Sequence, residues 1–141
     1  MPAHDQAVIF DLDGTLLDTL ADIGNSANQV LMDRNLPTHS LEAYRHFIGD
    51  GVATLFHRIL PDDAPDSDLI AQCVLEFAVA YGRKWKENTS VYPGVAELLD
   101  ELTGREVPIA ILSNKPHEFV GVCVGEFLSR WPFEPVLGQR E

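Results

Sequence analysis

Apolar and polar positions fall into two textures along this chain. The first apolar run, Gln6-Ala7-Val8-Ile9-Phe10-Asp11, is closed by Asp13-Gly14, a pattern that predicts a buried strand over residues 6–11. A helical stripe follows at Leu20, Ile23, Ala27, Val30 and Leu31, and it stops near Asn35-Leu36-Pro37, where proline cannot continue a helix. Thr38 or Ser40 can cap a short helix through residues 41–47. After the break at Gly49-Asp50-Gly51, positions Val52, Leu55, Phe56 and Ile59 mark another amphipathic helix, ended by Pro61. Residues 61–68 are acidic and loop-like, with Asp66 or Ser67 placed to cap the next helix; a calcium loop would need a glycine and a distal glutamate absent there. Ile70, Val74, Phe77, Tyr81 and Trp85 then mark that long helix, so residues 18–88 read as all-helical, with Phe56 and Trp85 in the core.

The second texture begins at the Tyr92-Pro93-Gly94 turn. Val95, Leu98, Leu99 and Leu102 give a helix stopped by Gly104, and Val107–Leu112 reads as a second buried strand with Pro108 near its start. That strand ends in Ser113-Asn114-Lys115-Pro116. Pro116 opens a helix with Phe119, Val120, Cys123, Val124, Phe127 and Leu128 facing inward, and Gly121 and Gly125, four apart, are expected to allow close packing. Residues 132–138 hold a third short strand. The order strand, helical insert, helix, strand, helix, strand implies an α/β fold: a parallel sheet of about three strands with right-handed crossovers.

Composition narrows the function. The chain has 141 residues, 45% hydrophobic and 23% charged, enough for a real core and unlike a disordered segment. A formal net charge of -12 argues against nucleic acid as a partner but not against a small anionic substrate, which local donors can hold. Cys73 and Cys123 sit in apolar helical patterns and read as buried free thiols; without a disulfide framework the expected location is cytoplasmic. Met1-Pro2-Ala3-His4-Asp5 does not read as a signal peptide, no stretch is long enough to span a membrane, and the Asn88-Thr89-Ser90 sequon reads as chance. His46, His57 and His117 lack metal-ligand spacing and read as surface or packing residues.

Asp11 and Asp13, two apart on an extended chain, share a face at the carboxyl end of the first strand, where open α/β sheets form their crevices. Two carboxylates there call for a positive partner, which points to a metal ion, although Asp13-Gly14 is also an ordinary turn pair. Ser113 has a comparable alternative as a helix cap, Lys115 as a solvated lysine, and Gly49-Asp50-Gly51 as a plain turn instead of a substrate-touching loop.

Asp11-Leu12-Asp13-Gly14-Thr15 closely resembles the first motif of the haloacid dehalogenase-like phosphohydrolases. Ser113 resembles the second motif, Thr15-Leu16-Leu17-Asp18-Thr19 the loop into the family's helical cap, and Tyr92-Pro93-Gly94-Val95 the return from it. With Ser113-Asn114-Lys115-Pro116, the set is similar to the phosphoglycolate phosphatases. The resemblance implies a Rossmann-like core over residues 1–17 and 89–141, lacking its C-terminal part, and a helical cap over residues 18–88. It implies Asp11 as nucleophile forming an aspartyl-phosphate, Asp13 as acid and then base, and Mg²⁺ held through Asp11 and the backbone carbonyl of Asp13. Gly14, Thr15, Ser113, Asn114 and Lys115 would bind substrate, with backbone N–H groups near Gly14 and a helix start at residues 114–116 holding phosphate oxygens. An acid at position 13 suits an oxygen leaving group and not a halide. Sugar-phosphate phosphatase or phosphomutase chemistry is the nearest alternative.

Family members carry a further lysine and a second acidic metal motif, which nothing after Ser113 matches; two more βα units imply ~60–80 further residues. The expectation is therefore a truncated piece of a longer phosphatase, with one edge of the first strand unpaired. A catalytically inactive fragment, an interaction module or a homodimer pairing through that edge stands beside it.

Overall fold

The computed structural model describes residues 6–61 and 65–140. The expectations placed on residues 1–5 and on residues 62–64 of the acidic loop lie outside the described residues. In chain order the elements are β1 (Val8–Phe10), β2 (Leu17–Asp18), α1 (Leu20–Asp33), α2 (Leu41–Tyr44), α3 (Val52–Ile59), α4 (Ser67–Lys84), β3 (Ser90–Val91), α5 (Val95–Gly104), β4 (Ile109–Pro116), α6 (His117–Phe127) and β5 (Val136–Gln139). They divide into two compact units, Met1–Asp18 with Ser90–Glu141, and Thr19–Thr89.

The first unit is built on a parallel three-stranded sheet in the order β1-β4-β5. Val8 pairs with Ile109 and Phe10 with Ile111, so the ladder is shorter than the apolar run of residues 6–11. Pleating sends Ile109 and Ile111 into the core. The opposite face carries Ile9, 67% exposed, and Leu112, 57% exposed, together with exposed Leu137. A second, antiparallel pair joins Leu17 to Val91 and Asp18 to Ser90. Two-residue strands are too short to show alternation, which is why no sequence pattern announced them.

Two expectations about helix faces are corrected. Leu98 is exposed, so α5 buries Val95 and Leu99 but not the full stripe. Gly121 and Gly125 face open space: a Cβ built at either meets nothing within 4 Å, so they mediate no close packing. Val120 and Cys123 carry the buried face of α6 instead.

The second unit is all-helical among the described residues. Ile23, Ala27, Val30 and Leu31 of α1 are buried, as are Leu55, Phe56 and Ile59 of α3 and Cys73, Phe77 and Tyr81 of α4. Phe56 meets Phe77 edge-on at 6.0 Å between centroids, and Phe77 stacks on Tyr81 at 5.4 Å. Trp85 is only half-buried and lies under Lys86, so it is less of a core residue than its place in the stripe suggested. Ser40 caps α2 by accepting the Ala43 N–H at 3.2 Å, and Asp66 caps α4 by accepting that of Asp68 at 3.1 Å. Tyr44 is fully buried and donates to Asn28 Oδ1 at 2.7 Å; burial drives its phenol well above the ordinary tyrosine range.

Buried Asp22 closes this unit on itself. Sitting in the first turn of α1, its carboxylate accepts the Asn88 N–H at 2.9 Å, the Thr89 N–H at 2.9 Å, the Thr89 hydroxyl at 2.8 Å and the Asn88 side-chain amide at 3.1 Å. The sequon pair Asn88-Thr89 thus has a structural task at the far end of the insert.

Candidate active site

The candidate residues of the first unit gather at the carboxyl ends of β1 and β4, which the parallel register places side by side. Leu12, fully buried, points inward between Asp11 and Asp13. Asp11 is exposed, with its Oδ1 accepting the Leu12 N–H at 2.7 Å. The chain then turns sharply. Gly14 adopts φ 77, a left-handed conformation that glycine reaches without steric cost. The Leu12 carbonyl accepts from the amides of Thr15, Leu16 and Leu17 at 3.2, 3.0 and 3.1 Å, while the Gly14 N–H donates to the Leu17 carbonyl at 2.9 Å.

This corrects the expected phosphate cradle. The amides of Gly14 and Thr15 are consumed by the turn that they build, so Gly14 shapes the site and its N–H does not line it. The expected helix start at residues 114–116 is corrected as well. Asn114, Lys115 and Pro116 belong to β4, α6 begins at His117, and its cap position is Pro116, which has no N–H to offer. Ser113 is not the helix cap, because its Oγ accepts the Lys115 N–H at 3.1 Å inside the strand end. That bond leaves the Ser113 hydroxyl proton to donate elsewhere.

Strand alternation puts Ser113 and Lys115 on one side of β4, both buried, and Asn114 on the other, exposed. Lys115 is not a solvated lysine. Its Nζ stands 3.0 Å from Asp13 Oδ1, and the two side chains are 3% and 11% exposed. A buried ammonium needs such a partner, and a half-buried carboxylate gains as much from it. The structure therefore brings Asp13 and Lys115 together, with Ser113 on the same side of β4 as Lys115 and Asn114 on the other.

The metal that two carboxylates invite can be weighed on the donor set. No cluster of three or more His, Cys, Asp or Glu side chains able to hold a metal occurs among the described residues. The Asp13 carboxylate is engaged by Lys115, which leaves the Asp11 carboxylate and the Asp13 main-chain carbonyl. Two oxygens fit one side of a Mg²⁺ octahedron, since Mg²⁺ commonly takes one or two carboxylates and completes its shell with water and phosphate oxygens.

Sequence reasoning passed over two contributors to this end of the sheet, Gly138 and His117. The Gly138 N–H donates to His117 Nδ1 at 3.0 Å, and Arg140 Nη2 lies 3.0 Å from His117 Nε2. His117 is therefore neither a plain surface residue nor a packing one. A glycine after a short apolar run was the available signal, being the residue that marks close backbone approach in strands.

The sequence pattern of the family described as haloacid dehalogenase-like hydrolase matches residues 8–141. The phosphoglycolate phosphatase of Pseudomonas putida is 38% identical over 133 residues, covering 88% of this chain and 48% of that protein. The phosphoglycolate phosphatase of Chromobacterium violaceum is 36% identical over 138 residues, covering 96% of this chain and 62% of that protein. Among solved structures, a predicted phosphoglycolate phosphatase from Haemophilus somnus superposes with a TM-score of 0.84 at 30% identity, over 94% of this chain and 61% of that one. The chain spans about half to three fifths of the length of the curated relatives named here.

Proposed function

The chain belongs to the haloacid dehalogenase-like hydrolases, and from that premise we propose that it serves a Mg²⁺-dependent phosphatase hydrolysing a small phosphate monoester, 2-phosphoglycolate first among them, through an aspartyl-phosphate. The observation that carries this reading is the buried Asp13–Lys115 pair, two residues along the chain from Asp11: an acid and a cation at the strand end that carries the proposed nucleophile. The names of the P. putida and C. violaceum relatives support the choice of ester.

In this proposal an Asp11 carboxylate oxygen attacks phosphorus and the ester P–O bond breaks. Asp13 gives a proton to the departing alkoxide. Asp13, now a carboxylate, then takes a proton from the water that attacks the aspartyl-phosphate. Its P–O bond to Asp11 breaks, inorganic phosphate leaves and the Asp11 carboxylate is restored. Ser113 donates its hydroxyl proton to a phosphate oxygen, and Lys115 supplies positive charge. Asp11 and the Asp13 carbonyl are the groups that would hold Mg²⁺, which when bound would offset repulsion between phosphate and Asp11. Thr15 and Asn114 remain proposed substrate contacts through their side chains, and the Thr19–Thr89 unit is proposed as the cap that selects the ester, in a cytoplasmic enzyme.

The test is phosphate release from 2-phosphoglycolate by the native protein carrying this chain, with Mg²⁺ and with a chelator. Wild type should turn over only with Mg²⁺. Asp11→Asn should lose about 10³-fold or more in kcat, the scale expected when a group acting directly in the transition state is removed. Turnover retained in Asp11→Asn would sink the aspartyl-phosphate reading.

A further inference from the structure

The β4–β5 ladder changes register at the strand end that bears the candidate residues. Leu112 pairs with Leu137, but the next partners are Pro116 and Gln139. Four steps of β4 are thus matched by two of β5, so the register shifts across Ser113-Asn114-Lys115. This irregular stretch carries the lysine that stands at hydrogen-bond distance from the Asp13 carboxylate.

A close backbone approach stands at the far end of this stretch. Gly138 lies so close to the β4–α6 corner that a Cβ built on it would stand 2.6 Å from the Lys115 carbonyl oxygen, 2.6 Å from His117 Cα and 2.7 Å from Val120 Cγ2. Two of these three atoms are backbone, on the segment that carries Lys115. The Gly138 N–H reaches across to His117 Nδ1 at 3.0 Å, so the same glycine both permits the approach and bonds it shut.

We propose that Gly138 and His117 are positioning residues, a clasp that seats Lys115 so that its ammonium reaches Asp13. A methyl at 138 must push the Lys115 carbonyl outward, and a displacement of roughly 0.5–1 Å suffices to take a 3.0 Å contact beyond hydrogen-bond range. The importance of the clasp for phosphate binding rests on the proposed function; the seating of Lys115 does not.

Lysine acetylation under limiting reagent, read by mass spectrometry in the native protein with exposed Lys86 as internal reference, measures the seating directly. Lys115 should be protected in wild type. In Gly138→Ala and in His117→Ala its acetylation should rise about tenfold, the scale of one lost hydrogen bond or one displaced ion pair. His117→Asn should keep the protection, because its Oδ1 offers an acceptor where Nδ1 stood, and Gly125→Ala, in open space on α6, should match wild type. A purely structural defect would not be rescued by asparagine in this way. Lys115 remaining protected in folded Gly138→Ala and His117→Ala would overturn the proposal; if Gly138→Ala does not fold, the two His117 variants decide it. Binding of inorganic phosphate, followed by ³¹P NMR, separates the two readings. Phosphate bound by wild type and weakened about tenfold by His117→Ala supports the clasp in its functional role. An absence of phosphate binding by wild type, with the acetylation pattern as expected, would sink the phosphatase reading and leave the clasp standing.

Discussion

At the scale of the residue, exposure is decided by partners that a linear reading places far away. Lys115 looked as much like a solvated lysine as a functional one, because nothing beside it names a partner; Asp13 lies 102 positions earlier. Asp11 and Asp13 were legible as candidates because their spacing itself suggests chemistry. The fate of the Gly14 and Thr15 amides was not, since only the closed turn shows which carbonyl takes them. Cys73 was legible as a buried thiol from its helical stripe, and the structure adds a consequence. Burial, above all, pushes its thiol pKa upward, with Glu76 adding to the rise and Arg34 opposing it. A thiol whose folded pKa lies above its unfolded value ionises first in the unfolded chain. Stability of the helical unit should therefore fall as pH rises past the unfolded thiol pKa of about 8.5 and go on falling until the folded pKa is reached. Iodoacetamide labelling of Cys73 at pH 8 should be far slower than that of a free thiol peptide and should accelerate with urea in step with unfolding. Labelling at the peptide rate in native buffer would contradict it.

At the scale of the element, the strands and helices long enough to show a period were readable, and the short or locally neutral ones were not. β2 and β3 offer two residues each, and the spacing of Gly121 and Gly125 says nothing about which way they face. The apolar pattern did not single out Asp22, although it receives bonds from both residues that end the insert. Removing it leaves buried donors without an acceptor. Asp22→Ala should cost on the order of 3 kcal/mol in urea unfolding of the helical unit, and Asp22→Asn less, because one acceptor oxygen remains. Equal midpoints for Asp22→Ala and wild type would show that these bonds are replaced by water without loss.

At the scale of the whole molecule, the alternation of elements was enough to read a parallel α/β sheet, and the order β1-β4-β5 agrees with it. Less visible was how much apolar surface that sheet leaves uncovered. Ile9 and Leu112 lie on the same exposed face, and β1 is an edge strand in the described sheet. The net charge of -12 opposes association, but its repulsion is screened within about 10 Å at 0.1 M salt. The chain on its own should therefore self-associate more readily as salt is raised, and Ile9→Lys with Leu112→Lys should suppress this in light scattering without shifting the melting temperature downward. Unchanged scattering in the double variant would place the contact elsewhere.

The Asp22 bonds carry a consequence for how such proteins can diversify. The helical unit leaves the chain at Thr19 and returns at Thr89, and a single carboxylate ties the two ends together from within that unit. Outside it, Leu17 and Asp18 pair with Val91 and Ser90, so the sheet-bearing unit also keeps its two open ends side by side. Each piece thus closes its own gap. An insert that arrives with its exits already joined imposes little loop-closure entropy on its host, and its length can vary at small cost. A cassette of this design can be exchanged whole while the strands that flank it keep their pairing.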